Sequence, residues 1–193
     1  VKEEQYISGK TKYPPLLSPL LVKQLTAGSR MVITGFTGPY TLPPDIESKT
    51  DHLVHIVAGS GAVPNFSIIK HALHTGMKLK HTFICSNRSY ADICFRRELL
   101  ELESAHPQKL RVIHTLTREA NEAVFGPGIR KGRLSLELLR ECIDDPSNCM
   151  VYACGPAITP HDRSAAKEKG ISPEPRFMES AIAQLNELEI DGK

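Results

Sequence analysis

Two glycine-bearing clusters hold the residues whose types and spacing could do chemistry. Gly59-Ser60-Gly61-Ala62-Val63-Pro64 follows an apolar run over residues 53–58 and precedes a helical pattern. A buried strand that stops on glycines and restarts as a helix, with proline near its first turn, builds a phosphate site. Glycine lets backbone approach a ligand closely, and a helix start offers unpaired N–H groups at the positive end of its dipole. The same turn can also be an ordinary connection. Further along, the apolar run Cys149-Met150-Val151-Tyr152-Ala153 ends in Cys154-Gly155-Pro156. Between the two, His81-Thr82-Phe83-Ile84-Cys85-Ser86 ends in Asn87-Arg88. Arg88 offers a charge for phosphates or an adenosine ribose, and Asn87 a donor and an acceptor beside it. The plainer alternatives are a solvated arginine at a strand end and a cysteine buried for its packing.

The elements that must position these residues alternate after residue 50. Strands are expected at residues 53–58, 80–86, 110–114 and 149–153, and helices at 64–75, 91–104, 136–143 and 177–188. Such alternation argues for an α/β fold, a doubly wound parallel sheet with helices on both faces. Ser135 can cap the helix over 136–143, with Glu137 in its first turn. Ligands of such sheets gather at the carboxyl ends of strands, where the Gly59 turn, residues 86–88 and residues 154–156 all fall. The first fifty residues differ. Pro14-Pro15, Pro19 and Pro43-Pro44 break the pattern, and residues 31–34 and 40–42 read as two short strands around a glycine turn.

Taken in order, Gly35-Phe36-Thr37-Gly38-Pro39-Tyr40-Thr41-Leu42-Pro43, the Gly59 turn, Asn87-Arg88 and Cys154-Gly155-Pro156 resemble the ferredoxin–NADP reductase-like flavoprotein family. The resemblance covers roughly residues 18 to 156 and resumes around Met178. It implies a Rossmann-like NAD(P)-binding domain over residues 50–193 and, over 1–49, the end of a flavin-binding antiparallel β-barrel. Ser18 would open the helix that covers the flavin pyrophosphate. The family's Arg-x-Tyr-Ser flavin strand is not found in this sequence, nor is its last strand, so the chain reads as a piece of a longer flavoprotein with an incomplete FAD site. Residues 157–176 are an insertion relative to the family, expected to be a lid or partner contact.

The resemblance implies that Gly59, Ser60, Gly61, Val63, Pro64, Asn87, Arg88, Cys154, Gly155 and Pro156 bind NADPH or NADH. Ser60 matches the family's hydroxyl residue near the nicotinamide and flavin. Cys154 would face the nicotinamide and let the rings lie close, positioning rather than attacking. Hydride transfer needs positioning and the cofactors' own chemistry. Ser86-Asn87-Arg88-Ser89 places no acid at the end of the second strand to bond a ribose 2′-hydroxyl, which favours NADPH. The implied function is an NAD(P)H-dependent flavoprotein reductase that passes electrons through FAD to a protein acceptor, such as ferredoxin or another iron–sulfur protein, a cytochrome or an oxygenase component. The alternative is a non-catalytic nucleotide-binding or electron-transfer subunit of a larger redox complex.

Composition narrows the field further. The 193 residues carry 24 Lys and Arg against 22 Asp and Glu, a net charge of +2 that gives no reason to expect nucleic acid as a partner. No apolar run is long enough to span a bilayer, and a cytoplasmic setting is expected. The 5 cysteines fit neither a zinc nor a disulfide framework, and the C-x4-C-x2-C spacing of a plant-type ferredoxin is absent. His71 and His74 are three apart on a helix, but no further ligand completes a metal set.

Overall fold

The computed structural model describes residues 17–35 and 37–190. The chain divides into two compact units, Val1–Pro39 and Tyr40–Lys193. In the first, α1 (Leu17–Pro19) runs on into a wider helical turn at Leu20–Gln24. The strands expected over residues 31–34 and 40–42 do not form. Met31, Val32 and Ile33 are exposed, Val32 at 92%, and no strand among the described residues offers them a ladder. A single extended segment without a partner leaves its backbone groups to water and gains no sheet. Pro14, Pro15 and Phe36 lie outside the described residues.

The second unit begins at Tyr40, earlier than the boundary at residues 49 and 50 expected from the sequence. Tyr40 and Leu42 pack with Ile46, Leu53, Ile68, Leu79 and Tyr152 in one apolar cluster. Ile46 belongs to α2 (Ile46–Lys49). The unit then alternates: β1 (His52–Ala58), α3 (Ala62–His74), β2 (Lys80–Asn87), α4 (Arg96–Ala105), β3 (Leu110–Leu116), β4 (Ile129–Lys131), α5 (Leu136–Cys142) and β5 (Cys149–Cys154). It closes with α6 (Pro160–Glu168) and α7 (Phe177–Asn186).

The 5 strands form one sheet in the order β4-β3-β2-β1-β5, every pairing parallel. Alternation along the strands sends residues to opposite faces. Val54, Ile56, Ile84 and Ile113 meet Leu138 and Leu139 of α5 and Ala181 and Leu185 of α7. Val57, Phe83, Cys85, Leu110 and Val112 meet Phe66, Ile69 and Leu73 of α3 and Leu99 of α4. Helices therefore cover both faces, as the doubly wound expectation requires. The winding reverses beside β1: the chain steps outward to β2, β3 and β4, then returns to lay β5 against the other edge of β1.

Two departures from the expected elements have local reasons. The helix expected from residue 91 starts at Arg96. Ser89 and Asp92 close a single turn with a reciprocal capping box, and Phe95 then takes a left-handed φ of 57° while its ring stacks on Phe66 at 4.2 Å. The insertion over 157–176 is not a loop throughout, since it holds α6. Thr159 and Asp162 cap that helix reciprocally, and Asp162 also pairs with Arg176 at 2.8 Å. Ser135 caps α5 as expected, accepting from the Leu138 N–H.

Candidate functional site

The reversal beside β1 creates a crevice at the carboxyl ends of β1 and β5, the place where open α/β sheets bind ligands. Both glycine clusters meet there. A Cβ on Gly61 would stand 2.7 Å from the carbonyl carbon of Cys154 and 3.2 Å from its Sγ. The turn is thus seated directly on the end of β5, and Gly61 is itself buried. The small residue at 61 serves this protein–protein contact, where the sequence suggested room for a phosphate. Gly59 is the residue that faces open space: its φ is +54° and nothing lies within 4 Å of its Cβ position. Ser60 is exposed. Gly61 caps the 13-residue α3 without a side-chain hydrogen bond; the Ala62 N–H turns back to the Gly59 and Ser60 carbonyls and Pro64 has no N–H, so an anion here would meet the turn and the positive end of the helix dipole. Val63, 48% exposed, and Pro64 occupy the first turn.

On the facing side, Cys154 is half-buried and borders the same cluster as Val57 and Ala62. Gly155 makes room for Phe177, the first residue of α7, whose Cε1 would be 2.9 Å from a Cβ there. The backbone N–H of Met178 donates to the Pro156 carbonyl at 3.0 Å. The Cys-Gly-Pro corner is therefore fixed from behind by α7. Glu179 completes this, accepting from the N–H groups of Ile158 at 2.9 Å and Arg176 at 3.0 Å. These two bonds tie both ends of the insertion to α7.

At the end of β2 the two expected binders part company. Arg88 is exposed, and its carbonyl accepts from the Arg118 N–H at 2.7 Å. Asn87 is buried at 6%, its Nδ2 lying 3.3 Å from Cys85 Sγ. Its Nδ2 turns toward Cys85, while its Oδ1 is buried with no hydrogen-bond partner among the described residues. The neighbouring acids are engaged with backbone. Asp92 accepts from the Ser89 N–H and hydroxyl, and Glu119 from the Tyr90 and Asn121 N–H groups. These bonds hold the Glu119 carboxyl below its usual range. Arg96 lies over the Tyr90 ring at 4.1 Å, while Arg97 pairs with Glu101. Ser18 stands in α1, within the other unit.

Sequence reasoning passed over a buried polar chain beneath the Gly59 turn. His55 and Asn65, both fully buried, meet at 2.8 Å through Nδ1 and Oδ1. His55 Nε2 lies 3.1 Å from His81 Nδ1, and Asn65 Nδ2 donates to the Gly61 carbonyl at 3.1 Å and the Tyr40 hydroxyl at 2.8 Å. Burial pushes the Tyr40 phenol up to about 12 and pulls His55 down to about 4. A histidine inside an apolar strand and an asparagine inside an apolar helix face were the available signals.

The family model that matches residues 56–160 is described as an oxidoreductase NAD-binding domain. The chain belongs to this family. Its match begins inside β1 and ends at the start of α6, so it takes in the whole crevice. NADH-cytochrome b5 reductase 2 of Aspergillus terreus is 32% identical over 124 residues, covering 63% of this chain and 38% of that protein. The NADH nitrate reductase of Volvox carteri is 28% identical over 123 residues, 62% of this chain and 14% of that protein. The chain thus spans about two fifths or less of these relatives' length. Among solved structures, the Amycolatopsis cytochrome P450 reductase GcoB matches with a TM-score of 0.64 at 22% identity, over 89% of this chain and 44% of that one. That likeness bears on the fold alone.

Proposed function

We propose that the chain is the pyridine-nucleotide half of an NAD(P)H-dependent flavoprotein reductase, delivering electrons through FAD to a protein acceptor such as a cytochrome, an iron–sulfur protein or an oxygenase component. The observation that carries this reading is the seating of the Gly59 turn on Cys154 at the switch point of the sheet. Gly59, Ser60 and the positive dipole end of α3 suit a pyrophosphate, Val63 and Pro64 shape that turn, and Arg88 supplies a charge at the neighbouring strand end. Cys154, Gly155 and Pro156 form the opposite wall, where a small side chain leaves a flat ring room. The hydride chemistry belongs to the nicotinamide and the flavin. The work of this chain is to orient the nucleotide and keep that wall low. FAD is not placed by the described residues, because the strands expected beside it do not form.

The coenzyme reading favours NADPH. The two acids near the end of β2, Asp92 and Glu119, bond backbone N–H groups, which leaves Arg88 facing solvent without a competing carboxylate. The relatives named above are NADH enzymes, so the relative kcat/KM for the two coenzymes, measured before and after Arg88→Ala, decides the point. The overall reading is tested in a protein that includes the flavin-binding part. Mixing with NADPH under nitrogen should bleach bound flavin and sustain reduction of a dye acceptor. Nucleotide binding with no bleaching would make the chain a non-catalytic nucleotide-binding subunit instead.

A further inference from the structure

The buried chain beneath the glycine turn has a directionality that one atom decides. A backbone carbonyl can only accept, so the Asn65 atom facing Gly61 O at 3.1 Å must be the amide nitrogen. That places Asn65 Oδ1 opposite His55 Nδ1 at 2.8 Å, and His55 must carry its proton on Nδ1. His55 Nε2 is then an acceptor, and the His81 Nδ1 at 3.1 Å must be protonated to meet it. His81 Nε2 is left as a buried lone pair with no partner, as observed. The second amide proton of Asn65 goes to the Tyr40 hydroxyl at 2.8 Å. Every donor and acceptor of the Asn65 side chain is therefore committed, and its orientation has no alternative.

From this geometry we propose that Asn65 is a positioning residue for nucleotide binding, resting on the reading of the Gly59 turn as the pyrophosphate site. Gly61 O takes the first helical bond of α3 as the N-cap carbonyl and a second bond from the Asn65 side chain. Gly61 is thus gripped from below by Asn65 and from the side by the end of β5. The grip fixes the peptide that joins Gly61 to Ala62, and the Ala62 N–H of that peptide donates back to the Gly59 and Ser60 carbonyls, so Asn65 holds the whole Gly59–Gly61 turn in shape. Gly59 and Ser60, which border open space and solvent, are held only through these carbonyls. Tyr40 and His55 occupy the remaining sites of the amide, whose orientation the Gly61 carbonyl already dictates. His81 in turn holds the His55 tautomer.

Four forms of the chain test the proposal by NADPH titration in a calorimeter, with folding followed by circular dichroism. Asn65→Asp keeps an acceptor for His55 and Tyr40 but has no donor for Gly61 O, and should weaken NADPH at least tenfold, about 1.4 kcal/mol. Asn65→Leu, which adds no charge beside the phosphates, should weaken it to a similar extent. His55→Phe removes a partner on the far side of the amide while leaving both donors in place, and should change affinity less than threefold despite a comparable loss of melting temperature. Affinity that falls with melting temperature alike in all three variants, or a folded Asn65→Leu that binds within twofold of the parent, would overturn the positioning role. The parent protein supplies an independent check through imidazole 15N shifts. His55 and His81 should both be Nδ1–H tautomers, and an Nε2–H tautomer at His55 would overturn the assigned amide orientation and the proposal with it. A parent chain that binds no NADPH at all overturns the nucleotide reading itself, a result distinct from the other failures.

Discussion

At the scale of single residues, the molecule buries more imidazole than its polar partners can satisfy. His114, on β3, is 4% exposed, and neither ring nitrogen has a hydrogen-bond partner. Burial draws its basicity down to about 4, with Arg96 acting in the same direction. An unpaired buried donor costs its full desolvation, on the order of 1–3 kcal/mol, whereas an apolar side chain of similar size costs nothing of the kind. His114→Leu should therefore raise stability by about 1 kcal/mol, seen as a higher urea midpoint with an unchanged slope. A lower midpoint would mean that the edge-on contact with Phe83, 6.5 Å between ring centroids, contributes more than the burial costs. His55 is the opposite case, since both its nitrogens are engaged. The two histidines share a strand environment and differ in whether the structure answers them.

At the scale of elements, the junction between the Gly59 turn and β5 is the part most exposed to substitution. Gly61→Ala drives a methyl into the Cys154 carbonyl, which cannot rotate away as a side chain could. A loss of about 1–3 kcal/mol is expected. Gly59→Ala meets open space but must hold φ at +54°, a strain of roughly 1–2 kcal/mol. The contact with Cys154 makes any enlargement at position 61 a loss of folding stability. Denaturation of both variants checks it, and a Gly61→Ala protein as stable as the parent would contradict the packing described. Long apolar strands and the Ser135 cap were legible because burial and capping write local patterns. β4 was not: Ile129–Lys131 is 3 residues with two charges, too short for any periodicity. The α6 helix had a usable start signal in Thr159, Pro160 and Asp162, which the surrounding prolines and charges obscured. The Tyr40–Asn65–His55–His81 chain joins four separate elements of sequence, and no local pattern can show such a pairing.

At the scale of the whole molecule, the same histidines set a pH dependence. His55 and His114 are held down at about 4 and His81 at about 3, all chiefly by burial, against an ordinary value of 6.5. Above that ordinary value folded and unfolded chains are both neutral at these sites, and stability is indifferent to them. As pH falls below it, the unfolded chain binds protons that the folded one refuses. Each such histidine can then remove up to about 1.4 kcal/mol per pH unit, until its folded value is reached. The carboxylates held low, Asp145, Asp162 and Glu179 among them, act in a more acid window. The urea midpoint should therefore drop steadily between about pH 6.5 and pH 5, and less steeply in His114→Leu. A midpoint that is flat over that interval would show that these imidazoles are protonated in the folded state. The central claim concerns the crevice itself, and backbone amide shifts read it most directly. Titrating the 15N-labelled chain with NADPH should move the signals of Gly59, Ser60, Gly61, Ala62 and Val63 together with those of Arg88, Cys154 and Gly155, and leave the amino-terminal edge of the sheet around Asp51 and Lys80 unchanged. Shifts confined to that opposite edge, or none at saturating nucleotide, would contradict the account.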